Sequence, residues 1–258
     1  MMPIEKRHFF IAFFRAKVLL VTEGSRTYLR YVWLLADPLL EVAIFFVIFS
    51  FIFNYSGPGY APQLIVGLFT CRLFILSTYS APELLINNES VMLSVLLPKY
   101  IFPLAHMFVA LLKYIILLVF LCIFLLVMQE RMQLSWLMII PYTFLYSLFT
   151  FGVCMILAAA GPFFPDLTQL YPKIIMVLYW GSGVFFQPET VLPPQYLSIF
   201  YANPLARFLD AYRGCLLRGE IDWHQFAWLF IVSTAFAFVG YAFLSHFDKQ
   251  YPKIITQL

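Results

Sequence analysis

The chain has 258 residues, of which 63% are hydrophobic and only 11% are charged. An average soluble domain carries about 25% charged residues, so this composition excludes a water-soluble globule. The formal net charge is only +3 and the basic residues are scattered, which excludes a nucleic-acid-binding surface. Because apolar segments of about 20 residues recur along the chain, we expect an all-α integral membrane protein.

The N-terminal segment 8–32 differs from the apolar segments that follow it. Four phenylalanines between positions 9 and 14 lie among basic residues such as Arg15 and Lys17. This mixture is typical of an amphipathic helix that lies in the membrane surface. We therefore predict an interfacial helix here and no span.

Six apolar runs between polar or proline-rich breaks predict six transmembrane helices. They cover residues 33–53, 61–82, 100–128, 136–162, 172–188 and 226–247. The segment between the last two, 189–225, is too apolar for a free loop, so we expect it to re-enter the membrane. Residues 1–258 then form a single transmembrane domain. Ten of the sixteen basic residues fall on the side of the N-terminus, which favours an N-in, C-in orientation.

Motifs for catalysis are missing from the sequence. None of the seven lysines follows a glycine, so the phosphate-binding loop of ATPases is absent. The four histidines lack the HExxH spacing of zinc proteases, no GxSxG elbow is present, and the four cysteines lie far apart. We therefore expect no catalytic residue, metal site or cofactor on this chain.

A few charges fall inside the apolar runs, where a charged side chain is costly. Arg72 lies twelve residues into the second predicted span, and we expect it to face a protein interface or a transport pathway. Asp37 and Glu41 are four residues apart near the start of the first span, so they share one helix face. We expect both carboxylates at the cytoplasmic interface.

Five stretches occur in the same order as the motifs of one known family. They are LRYVWLLADP (29–38), SVLLPKYIFPLA (94–105), FFPDL (163–167), VFFQPETVLPP (184–194) and NPLARFLDAYR (203–213). Together they resemble the permease subunit of bacterial ABC-2 exporters, which move capsular polysaccharide, O-antigen or teichoic acid. The Asp37-Pro38 pair and the chain size favour the capsule exporters within this family. Pro165 departs from the family pattern, in which arginine is common.

The resemblance implies a homodimeric permease in the bacterial inner membrane that translocates a lipid-linked polysaccharide. It implies two copies of a cytoplasmic ATP-binding subunit, which hold ATP and Mg²⁺, and a periplasmic polysaccharide co-polymerase as a further partner. Helices near 83–99 and 163–170 would dock into the ATP-binding subunits. The residues available for this coupling are Glu83, Asn88, Glu89, Pro98, Lys99 and Asp166.

On the outer side, Arg207, Asp210 and Arg213 follow the Asn-Pro turn at three- and six-residue spacing, which predicts one helical cluster. The cluster could form an internal salt bridge. Alternatively, a guanidinium could bind a phosphate or an acidic sugar of the substrate. With Arg72, these three residues are the candidates for the substrate pathway. Two other functions stay open: an ABC-2 exporter of a small lipid or drug, and a polytopic glycan-modifying enzyme such as an acyltransferase.

Overall fold

The computed structural model describes residues 4–24, 30–48, 59–94, 97–128, 132–248, 250–251 and 254, which form helices and turns. Its helices are α1 (Ile4–Gly24), α2 (Arg30–Val47), α3 (Tyr60–Thr78), α4 (Glu89–Ser94), α5 (Ile101–Val127), α6 (Ile139–Ala160), α7 (Leu167–Trp180), α8 (Pro188–Val191), α9 (Pro194–Phe200), α10 (Pro204–Arg213) and α11 (Trp223–His246). Short 3-10 turns lie at Ala81–Glu83, Ile86–Asn88 and Leu134–Met138, and a π-helical turn lies at Gly214–Arg218.

Four stretches are long and apolar enough to cross a membrane. They are Tyr60–Glu83, Ile101–Val127, Leu134–Ala160 and Trp223–His246, each 24 to 27 residues long. At about 1.5 Å per residue, such a helix spans the roughly 30 Å hydrocarbon core of a bilayer. These four agree with the second, third, fourth and sixth predicted spans. The end of the first predicted span, residues 49–53, lies outside the described residues.

Two predicted boundaries are wrong. The fifth span was expected at 172–188, but α7 begins at Leu167 and ends at Trp180. The chain then turns through Gly183, whose φ of 76° is a left-handed conformation that glycine adopts without steric cost. The surface helix was expected at 8–32, but α1 ends at Gly24 and Arg30 already belongs to α2.

Helix α3 lies at the centre of the bundle, in contact with α2, α5, α6 and α10. Its most apolar stretch is 72% buried, whereas that of α11 is only 22% buried. Phe230, Ile231 and Phe238 are among the large apolar side chains that α11 exposes. Because the surplus apolar surface of a membrane protein faces lipid, α11 is an outer helix and α3 a core helix.

Helices α6 and α11 make the most extensive contact in the fold, and glycine allows it. A Cβ atom on Gly240 would lie 2.5 Å from the backbone oxygen of Gly152. A Cβ atom on Gly152 would in turn collide with the backbone of Phe236. Small residues at such positions let two membrane helices approach closely, which strengthens their van der Waals packing.

The bundle has two ends, which we name after the residues at their centres. The Pro98 end contains residues 79–100, the connection between α6 and α7, and the end of α11, where the backbone N–H of Lys99 meets Asp248. The Arg213 end contains the start of α3, the Leu134–Met138 turn and residues 181–222. Here the Ser135 hydroxyl donates to the Cys215 carbonyl at 2.7 Å.

Candidate functional site

At the Pro98 end, the segment between α3 and α4 is fixed to the bundle by apolar contacts. Ala81, Pro82 and Leu85 are buried, and the Ala81–Glu83 turn contacts both α6 and α7. A Cβ atom on Gly161 would overlap the carbonyl oxygen of Pro82, so the turn lies directly on the end of α6. The two segments predicted to couple, 83–99 and 163–170, therefore meet at one end of the molecule.

The predicted coupling residues differ in exposure. Glu83 and Asp166 are exposed, whereas Asn88 and Glu89 are half-buried. Asp166 precedes α7, but its side chain makes no capping hydrogen bond to that helix. Both exposed carboxylates are therefore available to a partner, with Asn88 and Glu89 set further back.

Helix α1 is joined to this segment through Arg15. The Arg15 guanidinium donates a hydrogen bond to the Asn88 side-chain oxygen and lies 4.4 Å from the centre of the Phe102 ring. Burial lowers the pKa of this guanidinium below its ordinary value. The sequence pattern predicts Arg15 on the surface helix but not this contact, because a separation of 73 residues leaves no periodic signal.

Lys99 and Pro98 are less exposed than Glu83 and Asp166, so they offer a docking partner less surface. Lys99 is only 6% exposed, and its ammonium group donates to the Leu97 carbonyl at 3.2 Å. Pro98 is half-buried, and both residues line a cavity of about 370 Å³ near the end of α11. These two residues shape the turn into α5, while Glu83 and Asp166 present charge.

Arg72 forms an ion pair with Glu41 inside the helix bundle. The Tyr179 hydroxyl donates to the other oxygen of this carboxylate at 2.7 Å, so one cluster joins α2, α3 and α7. The side chains of Arg72 and Glu41 are 21% and 26% exposed. Arg72 therefore lies at an interface between helices. Glu41 is turned toward this arginine, whereas Asp37 is exposed. The expectation that both carboxylates lie at the cytoplasmic interface stays a prediction.

At the Arg213 end, helix α10 forms where the Asn-Pro turn predicts it. The Asn203 side-chain oxygen accepts a hydrogen bond from the backbone N–H of Leu205 at 3.0 Å, which caps the helix. Pro204 occupies the first turn, where a missing N–H costs nothing. The helix packs on α3, α6 and α11, so its apolar face is covered by protein.

The Arg213 side chain is 6% exposed and binds backbone carbonyls. It donates to Gly183 at 2.9 Å, to Val184 at 2.8 Å and to Gln63 at 3.2 Å. A Cβ atom on Gly67 would lie 3.1 Å from this guanidinium. Arg213 thus joins α10 to α3 and to the turn that follows α7.

The salt bridge considered for Arg207, Asp210 and Arg213 does not form. Asp210 pairs instead with Arg218, at 2.7 Å, and accepts a second hydrogen bond from Gln225. The π-helical turn at Gly214–Arg218 brings Arg218 back toward Asp210, which an α-helical projection of the sequence cannot reveal. Burial lowers the pKa of Arg218, but the Asp210 carboxylate and other nearby acidic groups outweigh this effect and raise it.

Arg207 occupies a separate position on α10. Its guanidinium lies 4.3 Å from the centre of the Trp228 ring and donates to the Tyr201 carbonyl at 2.6 Å. The four pathway candidates therefore do not share one site. Asp210 and Arg213 line a cavity of about 400 Å³ at the Arg213 end, whereas Arg207 and Arg72 do not. Several other residues of this cavity are not predicted by any sequence pattern, among them Gln63, Gln187, Glu189, Arg218 and Glu220.

Comparison with known proteins identifies the family. Residues 17–217 match the family model of ABC-2 type transporters. The chain is also similar to two O-antigen export system permease proteins RfbA of Klebsiella pneumoniae. One is 26% identical over 226 residues, 87% of each chain, and the other is 25% identical over 228 residues, 88% of each chain. A permease of the same name from Myxococcus xanthus is 20% identical over 191 residues, 73% of each chain.

The family match includes part of α1, residues 79–100 of the Pro98 end and helix α10, so it reaches both ends of the bundle, but it stops before α11. The two Klebsiella permeases are aligned with this chain over 87% and 88% of their length. The chain therefore belongs to the ABC-2 type transporter family and is a multi-pass permease of the inner membrane.

Proposed function

We propose that this chain is the membrane subunit of an ATP-driven exporter that translocates a lipid-linked polysaccharide across the bacterial inner membrane. The observation that carries the proposal is the similarity to two O-antigen export permeases over 87% and 88% of each chain. Those relatives favour an O-antigen polysaccharide as the substrate, while the Asp37-Pro38 pair favours capsular polysaccharide. Neither a small-molecule exporter nor an acyltransferase is favoured by the relatives.

The proposed complex contains two copies of this chain and two cytoplasmic ATP-binding subunits. The ATP-binding subunits supply ATP and Mg²⁺, and this chain needs no cofactor of its own. The glycan passes through a channel between the two permease copies, and a periplasmic polysaccharide co-polymerase is a further partner. The N-in, C-in orientation places the Pro98 end in the cytoplasm, where the exposed Glu83 and Asp166 can meet the ATP-binding subunit.

ATP binding can move the permease only if the docking contacts differ in strength between two states of the complex. Two contacts could transmit such a movement. The Ala81–Glu83 turn lies on the end of α6 at Gly161, and Asn88 binds Arg15 of the surface helix. A shift of the coupling segment would therefore reach both α6 and α1.

Purification from native membranes tests the proposal. We expect the tagged chain, solubilised in detergent, to bring with it an equal amount of an ATP-binding subunit whose ATPase activity depends on Mg²⁺. The matched control is a second multi-pass protein with the same tag, which should bring no ATPase. A chain that purifies alone, without ATPase activity, would contradict the transporter assignment.

A further inference from the structure

A cavity of about 400 Å³ at the Arg213 end has the composition of a ligand site. It lies between the first turn of α3, the turn after α7, and α10. Its volume falls in the range of small-molecule sites, about 300–1,000 Å³. Three carboxylates and two guanidinium groups line it, which leaves a formal charge of −1: Glu189, Asp210, Arg213, Arg218 and Glu220.

The charged side chains that line this cavity already have partners within the protein. Arg218 contacts Asp210 at 2.7 Å and Glu220 at 3.4 Å. The Tyr201 hydroxyl donates to Glu189, and Arg213 is held by three backbone carbonyls. Both cations of the cavity thus have partners, so a polyanionic ligand would have to break existing pairs. The cavity therefore favours a ligand without a high negative charge.

Two side-chain amides of the cavity differ from these charged groups, because they have no hydrogen-bond partner within the described residues. Gln63 and Gln187 line it, and the described part of the chain provides no hydrogen bond to either amide group. Each amide offers two N–H donors and one carbonyl acceptor. The aromatic residues Phe200 and Tyr201 also line the cavity. A neutral sugar matches this combination, because its hydroxyls both donate and accept and its C–H face packs on aromatic rings.

We infer that this cavity binds a short, neutral stretch of the exported glycan. The inference rests on the proposed function and adds a binding site within the permease subunit itself. With the N-terminus in the cytoplasm, the Arg213 end faces outward, so the site holds the glycan where it leaves the membrane. The ion pairs of Arg218 and the carbonyl contacts of Arg213 keep the cavity open and its polar groups in place.

Binding to the purified complex of this chain with its ATP-binding subunit tests the inference. The probe is the repeat-unit oligosaccharide released by mild acid from the surface polysaccharide of the source bacterium, and a sulfated dextran oligosaccharide of equal length serves for comparison. In the Gln63→Leu/Gln187→Leu variant we expect binding to weaken at least about tenfold, since two or more hydrogen bonds are lost. Gln195→Leu, an exposed position on α9 at the same end, is the matched control and should bind as the unmodified chain does.

Co-purification with the ATP-binding subunit verifies that each variant is folded, and the two single variants are measured if the double variant does not accumulate. Unchanged binding in the glutamine variants overturns the inference, as does tighter binding of the sulfated probe. Surface glycan is also measured in a strain that lacks the chain and in a strain that carries the double variant. If that strain still displays the glycan, the proposed function fails as well. If it loses the glycan while the double variant exports and binds normally, only this cavity assignment fails.

Discussion

At the scale of single residues, the molecule stabilises the half-buried Arg72 and the buried Arg213 in two different ways. Arg72 is paired with a carboxylate, Glu41, whereas Arg213 is surrounded by the carbonyls of Gly183, Val184 and Gln63. A buried guanidinium needs such partners because its desolvation is costly. Both arginines therefore connect helices, and removing either leaves polar groups without their partners.

Replacing Arg213 should destabilise the fold. In Arg213→Gln the three carbonyls lose most of their donors, and unsatisfied buried groups cost about 1–3 kcal/mol each, so we expect a loss of about 3 kcal/mol. Thermal unfolding in detergent measures this. Arg207→Gln is the matched control on the same helix and should cost less, about 1–2 kcal/mol, since its half-buried guanidinium lies over Trp228 and donates to one carbonyl, that of Tyr201. An Arg213→Gln protein that is fully stable but exports no glycan would instead indicate contact with substrate.

The Arg72–Glu41 pair should show coupling in a double-mutant cycle. Arg72→Met leaves the Glu41 carboxylate without its cation, and we expect a loss of about 2 kcal/mol of stability, less than for a fully buried pair. Adding Glu41→Gln should recover part of this loss, because the neutral amide needs no cation and can still accept from Tyr179. Purely additive effects of the two substitutions on thermal unfolding would contradict the pairing.

At the scale of helices, the contact between α6 and α11 depends on Gly152 and Gly240. The backbone of the facing helix leaves no room for a side chain at either position. Gly152→Ala should force the helices apart, and overpacking of this kind costs about 1–3 kcal/mol. Gly214→Ala is the matched control, since a Cβ atom there would lie 3.3 Å from the end of the flexible Arg218 side chain, which can shift slightly, and 3.4 Å from the Glu220 carbonyl oxygen. Equal unfolding temperatures of the two variants would contradict the close packing.

The coupling segment provides a second test at this scale. The proposed docking would place the exposed carboxylates of Glu83 and Asp166, at the Pro98 end, against a basic surface of the ATP-binding subunit. We expect Glu83→Lys/Asp166→Lys to reduce the co-purified ATP-binding subunit by on the order of tenfold, because like charges repel across an interface. Gln195→Lys adds a positive charge at the opposite end and should leave the yield unchanged. Loss of the partner in this control alone would place docking at the Arg213 end.

Sequence patterns predicted the long helices of this fold well, because apolar runs of membrane length have few other structures available. The same patterns placed the fifth span at 172–188, since Val184 and Phe185 are as apolar as a helix interior. Helix α7 instead ends at Trp180, and the left-handed turn at Gly183 that follows it accepts a hydrogen bond from the distant Arg213. Hydropathy does not record such contacts.

The site residues were harder to predict. Helical spacing placed Asp210 near Arg207 and Arg213, yet its partner is Arg218, beyond a π-helical turn. The opposite charges of Glu41 and Arg72 in neighbouring helices were a usable signal for one contact. Gln63 and Gln187 gave no such signal in the sequence, because they are 124 positions apart and line the same cavity only through tertiary packing.

At the scale of the whole molecule, the proposed docking segment and the proposed glycan cavity lie at opposite ends of one helical bundle. The ABC-2 family match and the long alignments with O-antigen permeases connect these features to export. The ATP-binding partner would act at the Pro98 end, while the glycan would leave past the cavity at the Arg213 end. The ATP-binding subunit and the exported glycan would thus bind the same chain on opposite sides of the membrane.

The most direct test is to delete this chain in its source bacterium and measure surface polysaccharide together with the lipid-linked glycan inside the cell. We predict that the surface glycan is lost, that the lipid-linked precursor accumulates on the cytoplasmic side, and that the plasmid-borne chain restores both. Loss of O-antigen or of capsule identifies which glycan is carried. Normal surface polysaccharide in the deletion strain, with no accumulated precursor, would contradict the account.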